Sequence, residues 1–361
     1  MLRLTELKLP LGHPPEAIAV AAAERLGVDP GALISCTVVR RAHDARRKSS
    51  ILMIYSVDVS LNDERAILAR FSGDHRVQPA PDTTYRFVSQ ATRTPNPRPV
   101  VIGAGPCGLF AGLLLAQMGF RPIILDRGKA VRERTRDTWG LWRHGVLNPE
   151  SNVQFGEGGA GTFSDGKLYS QIKDPRHLGR KVLTEFVAAG APPEILTEAH
   201  PHIGTFRLVT MVESLRATIE SLGGEYRFQS KVTDLDIQIG PDGRRQVRGV
   251  TLEGGEQIVA DHVVLAIGHS ARDTFQWVYE RGVHVEAKPF SIGLRIEHPQ
   301  SLIDRARFGS HAGHPDLGTA DYSLSHACSN GRTVYSFCMC PGGTVVAAAS
   351  RSEERRVGKE C

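Results

Sequence analysis

The sequence predicts an α/β protein with a small α+β domain in front of it, and three observations carry that prediction. Short apolar runs at 100–102 and 122–126 flank a glycine-rich turn and an apolar helix at 109–118, which is the pattern of a β-α-β unit. Turn residues divide 231–267 into strand-like runs, which indicates an antiparallel meander. Residues 1–90 alternate in the order β-α-β-β-α-β, which predicts a ferredoxin-like sandwich.

The bulk composition is that of a multi-domain soluble protein. The chain has 361 residues, 41% of them hydrophobic, and a formal net charge of +5. This mild positive charge suits a phosphate-bearing ligand but is too small to imply nucleic acid. There is no signal-peptide core and no apolar run of membrane-spanning length, and six cysteines are too sparse for a disulfide framework. We therefore expect a cytoplasmic protein without a membrane partner.

The small N-terminal domain is predicted to occupy residues 1–90. Its expected strands and helices follow from period-2 alternation, an alanine-rich run and turn residues. The predicted strands are 4–9, 34–40, 51–61 and 84–88, and the predicted helices are 14–26 and 62–71. A basic hairpin, Arg40–Lys48, joins the second and third strands. Residues 91–99 contain three prolines and are predicted to be a linker.

The first candidate site is the glycine fingerprint Gly103-x-Gly105-x-x-Gly108. It follows a buried strand, begins a helix and leads to Asp126 at the end of the next strand, which is the context that dinucleotide binding requires. The glycines allow a tight turn, close approach of a pyrophosphate, and close helix–strand packing. Asp126 favours a ribose without a 2′-phosphate, although Arg127 and the nearby Lys129 complicate that preference. The competing interpretation is a purely structural turn.

The second candidate site is a loop with five glycines between 156 and 166. Backbone amides without side chains around them can form an anion cradle, and polar residues add hydrogen-bonding groups. The alternative is a flexible lid without a ligand. The candidate ligand-binding residues in this loop are Gly158, Gly159, Gly161, Thr162, Ser164 and Lys167.

Weaker candidates follow the meander. A buried strand ends at Gly268, and His269 is a candidate general acid or base, or merely a residue in a capping turn. Lys288 and Arg295 alternate along a predicted strand that could line a substrate pocket or form the charged face of a half-buried sheet. Cys338-x-Cys340 suggests a redox or metal pair, but without a second pair burial is the simpler interpretation, and no metal site is predicted.

Six stretches carry a resemblance to a known family. They are VVIGAGPCGLFAGLLLA, NVQFGEGGAGTFSDGKL, PHIGTFRLV, VLAIGHSARDTF, KPFSIGLRIEHPQ and FCMCPGGTVV. The chain from Arg98 to Ser350 resembles the uncharacterised FAD-dependent (NAD/FAD-utilising) dehydrogenases of the glutathione-reductase-like flavoprotein superfamily.

The resemblance implies a domain plan and a set of cofactor contacts. It implies an FAD-binding domain of the glutathione-reductase type at 100–286 and the start of a substrate-side β domain at 287–350. It places the FAD pyrophosphate on the first β-α-β unit, where Pro106 and Cys107 follow the second glycine, and the ribose at Asp126. It also implies that the 156–167 loop lies along the cofactor, that Val232 meets the adenine, and that Gly268 ends a strand beside FAD.

The function predicted from these features is FAD-dependent oxidoreductase chemistry on a substrate that no motif specifies. NAD(P)H is a plausible reductant that would bind transiently, since the sequence has no second GxGxxG in a strand–turn–helix setting. One alternative is an RNA-binding or RNA-modifying flavoprotein that uses the basic hairpin, although aromatic residues are not interleaved there. A second alternative is an interaction module on an inactive flavoprotein.

The last eleven residues, Arg351–Cys361, differ from the chain before them. They are abruptly charged, lack a cap, and resemble the conceptual translation of a sequencing adapter. We expect this segment to be foreign and the native protein to continue after residue 350 with a different sequence. The strand ending near Ala349 is then expected to lack neighbours, and the flavin ring to be poorly enclosed.

Overall fold

The computed structural model describes residues 1–164, 166–168, 172–337, 339–352 and 357–360. It shows a mixed α/β fold with parallel and antiparallel sheets, which confirms the predicted fold class at that level. In chain order, the strands of the described residues are β1 (Leu2–Pro10), β2 (Ser35–Asp44), β3 (Leu52–Ser60), β4 (Val77–Pro79), β5 (Val100–Ile102), β6 (Ile123–Leu125), β7 (Glu225–Arg227), β8 (Val232–Ile239), β9 (Arg245–Leu252), β10 (Gln257–Val259), β11 (Val263–Leu265), β12 (Ser325–Ala327), β13 (Thr333–Tyr335), β14 (Thr344–Ala347) and β15 (Val357–Glu360). The α-helices of the same residues are α1 (Ala17–Leu26), α2 (Glu64–Arg70), α3 (Pro106–Gln117), α4 (Val131–His144), α5 (Leu178–Ala188), α6 (Thr205–Ser221), α7 (Arg272–Glu280) and α8 (Gln300–Phe308).

The N-terminal sheet has the strand order β2-β3-β1-β4 with antiparallel neighbours. Two α-helices connect its strands in the sequence β-α-β-β-α-β. Gly27, at φ 63°, ends α1 in the left-handed region. The side chain of Asp63 caps α2 by accepting a hydrogen bond from the amide of Ala66 at 3.2 Å.

The predicted strand at Thr84–Val88 is wrong. The last strand of this sheet is β4, and residues 84–88 have no regular structure. The carboxylate of Asp82 instead binds the amide of Thr84 and the guanidinium of Arg86, both at 2.9 Å. Local side-chain bonds of this kind compete with a ladder, and the β-propensity of the run does not reveal them.

A parallel sheet follows the 91–99 linker, with the order β11-β5-β6-β7. β5 is the point from which the order runs outward in both directions, since β11 pairs with it on one side and β6 on the other. All three residues of β5 and of β6 are buried. The carboxyl ends of these strands therefore meet at one edge of the sheet, where open α/β sheets bind ligands.

The meander is observed as a separate antiparallel sheet with the order β10-β9-β8. The predicted strand over 258–267 is divided: β10 completes the meander, whereas β11 joins the parallel sheet. An apolar run cannot by itself reveal that its two halves pair with different sheets.

The predicted strand that carries Lys288 and Arg295 is also wrong. Residues 284–299 form no helix or strand, and both of these side chains are exposed. Four alternate apolar residues of the segment are exposed as well, by 70% or more: Phe290, Ile292, Leu294 and Ile296. The alternation is present, but no described strand pairs with it, and a strand requires a ladder partner.

The segment predicted to be foreign contains β15, which pairs antiparallel with β14. Val345 is opposite Lys359, and Ala347 is opposite Val357. The expectation that the strand near Ala349 has no neighbour in this chain is therefore wrong. The foreign origin of Arg351–Cys361 stays a prediction.

The core of the small domain is completed by residues far along the chain. Phe308 at the end of α8, with Leu317 and Ala320, belongs to the same buried cluster as Leu4 and Val57 of the N-terminal sheet. The buried core around the N-terminal sheet therefore contains residues from 308–320 as well as from 1–90. None of the described helices is both long and apolar enough to cross a membrane.

Candidate functional site

The turn between β5 and α3 needs glycine for two different physical reasons. Gly103 has φ 102°, and a Cβ there would lie 2.4 Å from the carbonyl oxygen of Ala266, just after β11. A Cβ on Gly108 would lie 1.7 Å from the carbonyl oxygen of Gly103. These two glycines let the turn, the helix and the neighbouring strand approach closely, as the fingerprint predicts.

Gly105 is different, because nothing in the protein needs it to lack a side chain. Its φ is −71°, and the nearest atom to an added Cβ is the Cα of Gly159 at 3.7 Å. It immediately precedes Pro106, the first residue of α3, and both residues line a cavity. The space at Gly105 therefore belongs to the cavity, beside the N-terminus of a 12-residue helix, where anions bind favourably.

Asp126, immediately after β6, holds the glycine turn. One carboxylate oxygen accepts a hydrogen bond from the amide of Ala104 at 2.7 Å, and the other accepts from the amide of Gly128 at 2.8 Å. The residue is 6% exposed and lines the cavity. Burial raises the pKa of Asp126, and the two amides and the charge of Arg134 act in the opposite direction. Each oxygen keeps a second lone pair with which to accept a hydroxyl.

The glycine-rich loop forms a second wall opposite the turn. The amide of Gly158 donates to the carbonyl of Ala104 at 2.8 Å, and a Cβ on Gly159 would lie 3.0 Å from the Cα of Gly105. The wall that faces the cavity is made of Gly156, Gly159, Ala160 and Gly161. The two glycine-rich segments thus approach each other and enclose one space.

Arg134 of α4 supports this loop from behind. It is fully buried and donates to four backbone carbonyls of the loop at 2.6–2.8 Å: those of Asn152, Val153, Glu157 and Gly159. Burial lowers the pKa of Arg134 to about 10, so the guanidinium remains charged at neutral pH. A Cβ on Gly156 would lie 2.5 Å from its Cδ. The position of the loop therefore depends on one arginine that does not line the cavity.

A second buried charge ties the loop to the start of α4. The carboxylate of Glu157 accepts from the amide of Val131 at 2.8 Å and lies 3.2 Å from Nε of Arg216. Burial raises the pKa of Glu157, and those two partners oppose the rise. Arg134 binds the loop backbone and Glu157 attaches the loop to α4, and neither side chain lines the cavity.

The cavity enclosed by these segments has a volume of about 580 Å³. It lies at the carboxyl ends of β11, β5 and β6, with α7 along one side. Its lining is Ile102, Gly103, Gly105, Pro106, Cys107, Leu125, Asp126, Arg127, Gln154, Phe155, Gly156, Gly159, Ala160, Gly161, Ser230, Val232, Leu265, Ala266, Ile267, Gly268, His269, Ser270, Ala271, Thr274, Phe275 and Val278. Such a mainly apolar cleft with a few convergent polar groups is typical of a cofactor site.

Charged residues surround the Asp126 end of the cavity. Arg127 Nη1 donates to Asp273 at 3.2 Å, Arg127 Nε lies 3.1 Å from Glu150, and the guanidinium covers the ring of Phe155 at 4.6 Å. Burial alone would raise the pKa of Asp273, but the hydrogen bonds and charge of Arg127 hold it below its ordinary value. Lys129, the other cation noted in the sequence, lies 3.0 Å from Asp137.

The structure brings together ten of the predicted cofactor-binding residues. These line the cavity: Gly103, Gly105, Pro106, Cys107, Asp126, Arg127, Gly159, Gly161, Val232 and Gly268. Five others do not line it: Gly108, Gly158, Thr162, Ser164 and Lys167. Gly108 packs against the turn, and Gly158 and Thr162 lie within the loop, where a Cβ on Gly158 would meet the Thr162 hydroxyl at 2.0 Å.

The remaining two predicted loop contacts are also explained by local structure. The hydroxyl of Ser164 donates to the carbonyl of Gly161 at 2.6 Å and so closes the end of the loop. The backbone of Lys167 forms an isolated antiparallel β-bridge with that of His202, and Lys167 does not line the cavity. A glycine-rich segment predicts that some residues approach a ligand but does not specify which ones.

The weak catalytic candidates separate into two groups. His269 is exposed and lines the cavity beside Ser270, whose hydroxyl donates to Gln154 at 3.2 Å. Lys288 and Arg295 are outside the cavity, in the irregular segment described above. Cys340 is buried, and Cys338 lies outside the described residues. No group of three or more potential metal ligands occurs among the described residues.

Sequence reasoning missed Arg134, Glu157 and α7. A single arginine in a polar helix gives no sign that it will be buried, because exposed arginines look the same. The one available signal was indirect: a loop with five glycines has many carbonyls without nearby side-chain donors, and a long cation can satisfy several of them. The contribution of α7 could not be predicted, because it depends on how the chain returns after β11.

Comparison with families of known sequence gives two partial matches. Residues 289–357 match a family described as "FAD-dependent protein, C-terminal domain-like", and residues 1–60 match a domain of unknown function. An uncharacterised protein of Clostridium beijerinckii is 41% identical over 357 residues, which is 99% of this chain and 65% of that protein. The chain thus spans 65% of the length of this relative.

Solved structures show only a distant likeness. Thermovibrio ammonificans THI4 has a TM-score of 0.36 at 19% identity, over 52% of this chain and 62% of its own. A 3-ketosteroid dehydrogenase of Rhodococcus jostii has a TM-score of 0.32 at 16% identity, over 52% of this chain and 48% of its own. An L-amino acid deaminase of Proteus vulgaris has a TM-score of 0.33 at 14% identity, over 57% of this chain and 61% of its own.

Proposed function

We propose that the cavity binds FAD and that the protein is an FAD-dependent oxidoreductase. The observation that carries the proposal is the position of a cavity of about 580 Å³ at the carboxyl ends of parallel strands, between a glycine turn that opens a helix and a second glycine-rich wall. This is the place where open α/β sheets bind dinucleotides. The FAD-dependent family match at 289–357 supports the choice of flavin over other dinucleotides.

The residues present fit the adenosine diphosphate half of FAD. Gly105 and the start of α3 would hold the pyrophosphate, because that is where the cavity touches bare backbone and a helix N-terminus. Asp126 would accept the ribose hydroxyls with its remaining lone pairs. The apolar side chain of Val232, with Ser230 beside it, would contact the base. Bound FAD supplies the hydride chemistry, and the protein contributes binding, orientation and exclusion of water.

NAD(P)H is the reductant we propose for this flavin, as a transient co-substrate. The proposal rests on the resemblance. We expect transient binding because the other GxGxxG of the sequence, at 156–161, does not lie between a strand and an α-helix. Anaerobic mixing of the flavin-loaded protein with NADH and with NADPH tests it, since either one should bleach the flavin absorbance. If neither bleaches it, a substrate-driven dehydrogenase or an oxidase becomes the better proposal.

The RNA-binding alternative gains no support from the basic hairpin. Arg41 lies 3.2 Å from Asp316 and 3.5 Å from Glu198, and Arg46 is bonded to Asp44. The edge of β2 is also covered there, because Arg41 exchanges backbone hydrogen bonds with Thr197 and Ala199. These contacts lie within the chain, and nothing in them points to a nucleic-acid partner.

The test of FAD binding uses two glycines that both tolerate a side chain. Gly105→Val places a branched side chain in the cavity, and outside the adjoining residues the nearest atom to its Cβ is the Cα of Gly159 at 3.7 Å, an ordinary contact distance. We expect it to lower the affinity for FAD and for 5′-ADP at least roughly tenfold, which corresponds to about 1.4 kcal/mol. Calorimetric titration and the visible flavin spectrum are the measurements.

The matched control is Gly293→Val, because a Cβ at Gly293 meets nothing within 4 Å and the residue is outside the cavity. It should bind both ligands as the wild type does. A wild-type protein that binds neither FAD nor 5′-ADP would overturn the proposed function. Equal binding by Gly105→Val and the wild type would show that the ligand binds outside this cavity.

A further inference from the structure

Two cations flank the Asp126 end of the cavity, and both are held by carboxylates. Arg127 lines the cavity itself, and Lys231 lies between two lining residues, Ser230 and Val232. An arginine beside the ribose is the usual device for accepting a 2′-phosphate. Whether Arg127 can do so here depends on what already occupies its guanidinium.

Arg127 is held on two sides. Asp273 at the start of α7 accepts a hydrogen bond from Nη1 at 3.2 Å and a second one from Nη2. Glu150 lies 3.1 Å from Nε, and Phe155 lies beneath the guanidinium plane at 4.6 Å. The arginine side chain is only 12% exposed. A phosphate could reach this guanidinium only by displacing a carboxylate.

Lys231 shares the same carboxylates. Its Nζ lies 3.1 Å from Glu150, 3.4 Å from Glu253 and 3.7 Å from Asp273. Two cations therefore face three carboxylates, which leaves a formal charge of −1 at this end of the cavity before Asp126 is counted. A 2′-phosphate would add further negative charge in a partly buried setting, where repulsion is weakly screened.

We propose that Glu150 and Asp273 make the site selective for a nucleotide whose ribose has a free 2′-hydroxyl, by holding Arg127 and Lys231 away from a 2′-phosphate. This inference rests on the proposed function, because it assumes that the adenosine ribose lies at Asp126. If so, Glu150 and Asp273, which lie outside the fingerprint, decide that FAD, NAD⁺ or ADP is accepted and that 2′-phosphorylated nucleotides are rejected. Substituting these two residues should then remove the selectivity without any change to Asp126 or the glycine turn.

The experiment compares two probes, 5′-ADP and adenosine 2′,5′-bisphosphate, on nucleotide-free protein by calorimetric titration. The wild type should prefer 5′-ADP. The double variant Glu150→Gln, Asp273→Asn removes both carboxylate partners of Arg127 and leaves Lys231 with Glu253 alone, while keeping the size of both substituted side chains. We expect it to shift the affinity ratio toward the bisphosphate by roughly tenfold, the effect of gaining a charge-assisted contact and losing repulsion.

Two further variants make the result specific. Asp234→Asn also releases an arginine from a carboxylate, since Asp234 binds Arg281, but Asp234 lies outside the cavity. The ratio of its affinities for the two probes should equal that of the wild type. Adding Arg127→Gln to the double variant should abolish the gain. Glu150→Gln alone leaves Asp273 at the start of α7 and should shift the ratio at least threefold, so the test does not depend on the double variant folding.

The outcomes separate this inference from the proposed function. If the wild type binds 5′-ADP and the Glu150→Gln ratio is unchanged, the carboxylates do not control selectivity and the inference is overturned. If the wild type binds neither probe, nor FAD, the proposed function fails. A gain that persists after Arg127→Gln would also overturn the inference, because another cation would then bind the phosphate.

Discussion

At the scale of single residues, the main finding is a division of labour between residues that face the cavity and residues that place them there. Gly105 and Asp126 face it. Arg134 does not, yet its guanidinium satisfies four carbonyls of the loop that forms the second wall. A buried charge is costly unless all its donors are used, and here each hydrogen bond also fixes part of the loop backbone.

Replacing Arg134 should therefore weaken both stability and binding. Arg134→Met keeps the length of the side chain but leaves the loop carbonyls without donors, and we expect the free energy of unfolding to fall by about 3 kcal/mol. The affinity for 5′-ADP should fall as well, since the loop loses its fixed position. Urea unfolding and calorimetry measure the two effects.

The control for that change is Arg132→Met on the same helix. Arg132 is 68% exposed and bound to Glu213 at the surface, so its replacement should leave the free energy of unfolding close to that of the wild type. If Arg134→Met were as stable as this control and bound 5′-ADP equally well, the supporting role of Arg134 would be refuted.

A second prediction at this scale concerns pH. Arg127 outweighs burial and holds the pKa of Asp273 below its ordinary value of 3.8. The unfolded chain therefore binds this proton more tightly than the folded chain, so the pair's contribution to stability is present above pH 3.8 and is lost as the pH falls through the lower folded value. At neutral pH, the free energy of unfolding of the wild type should exceed that of Asp273→Asn by about 1 kcal/mol.

That difference should shrink as the pH is lowered below 3.8. Urea unfolding of the two proteins over a series of buffers, from neutral to acidic, measures it. A difference that stays constant over the whole series would mean that the ionised Asp273–Arg127 pair does not contribute to stability.

At the scale of elements, the clearest result is that α8 completes a domain formed by the other end of the chain. Phe308 is fully buried in the N-terminal core, and the ring of His43 meets it edge-on at 5.2 Å. Arg41 adds an ion pair to Asp316 just beyond this helix. The small domain is therefore not an independent module attached through the 91–99 linker alone.

Phe308→Ala should test this dependence. Removing a fully buried phenylalanine leaves a cavity, and we expect a loss of about 3–5 kcal/mol, together with faster hydrogen exchange in β1 and β3. Phe290→Ala is the control, because Phe290 is 87% exposed, and it should leave exchange unchanged. Unaltered protection of β1 and β3 in Phe308→Ala would show that the N-terminal sheet is stable without α8.

At the scale of the whole molecule, the parallel sheet and the meander contribute residues to the cavity, whereas the N-terminal sheet does not. The parallel sheet β11-β5-β6-β7 provides the edge on which the cavity lies, and the meander delivers Val232 to it. The N-terminal sheet takes no part in lining the cavity but is tied to 197–199 and 308–320. The small domain and the segments that follow it are therefore packed against each other outside the cavity.

The sequence by itself determined the elements whose signals are local. Gly103, Gly105 and Gly108 with the apolar runs around them indicated the β-α-β unit, and Asp126 followed from its position after the second strand. These were predictable because a positive φ, a close approach and an acidic strand end each require particular residue types at short spacing. These local signals and the family resemblance together identified ten residues that line the cavity.

Only the tertiary structure decided the rest, because it depends on which distant groups meet. Arg134 is buried because the loop from Asn152 to Gly159 folds over it, and Arg127 is paired because Glu150 and Asp273 arrive from other segments. The alternating run around Lys288 and Arg295 shows the converse. Side-chain alternation suits a strand, but a strand exists only where another backbone supplies the hydrogen bonds, and no local pattern can guarantee that partner.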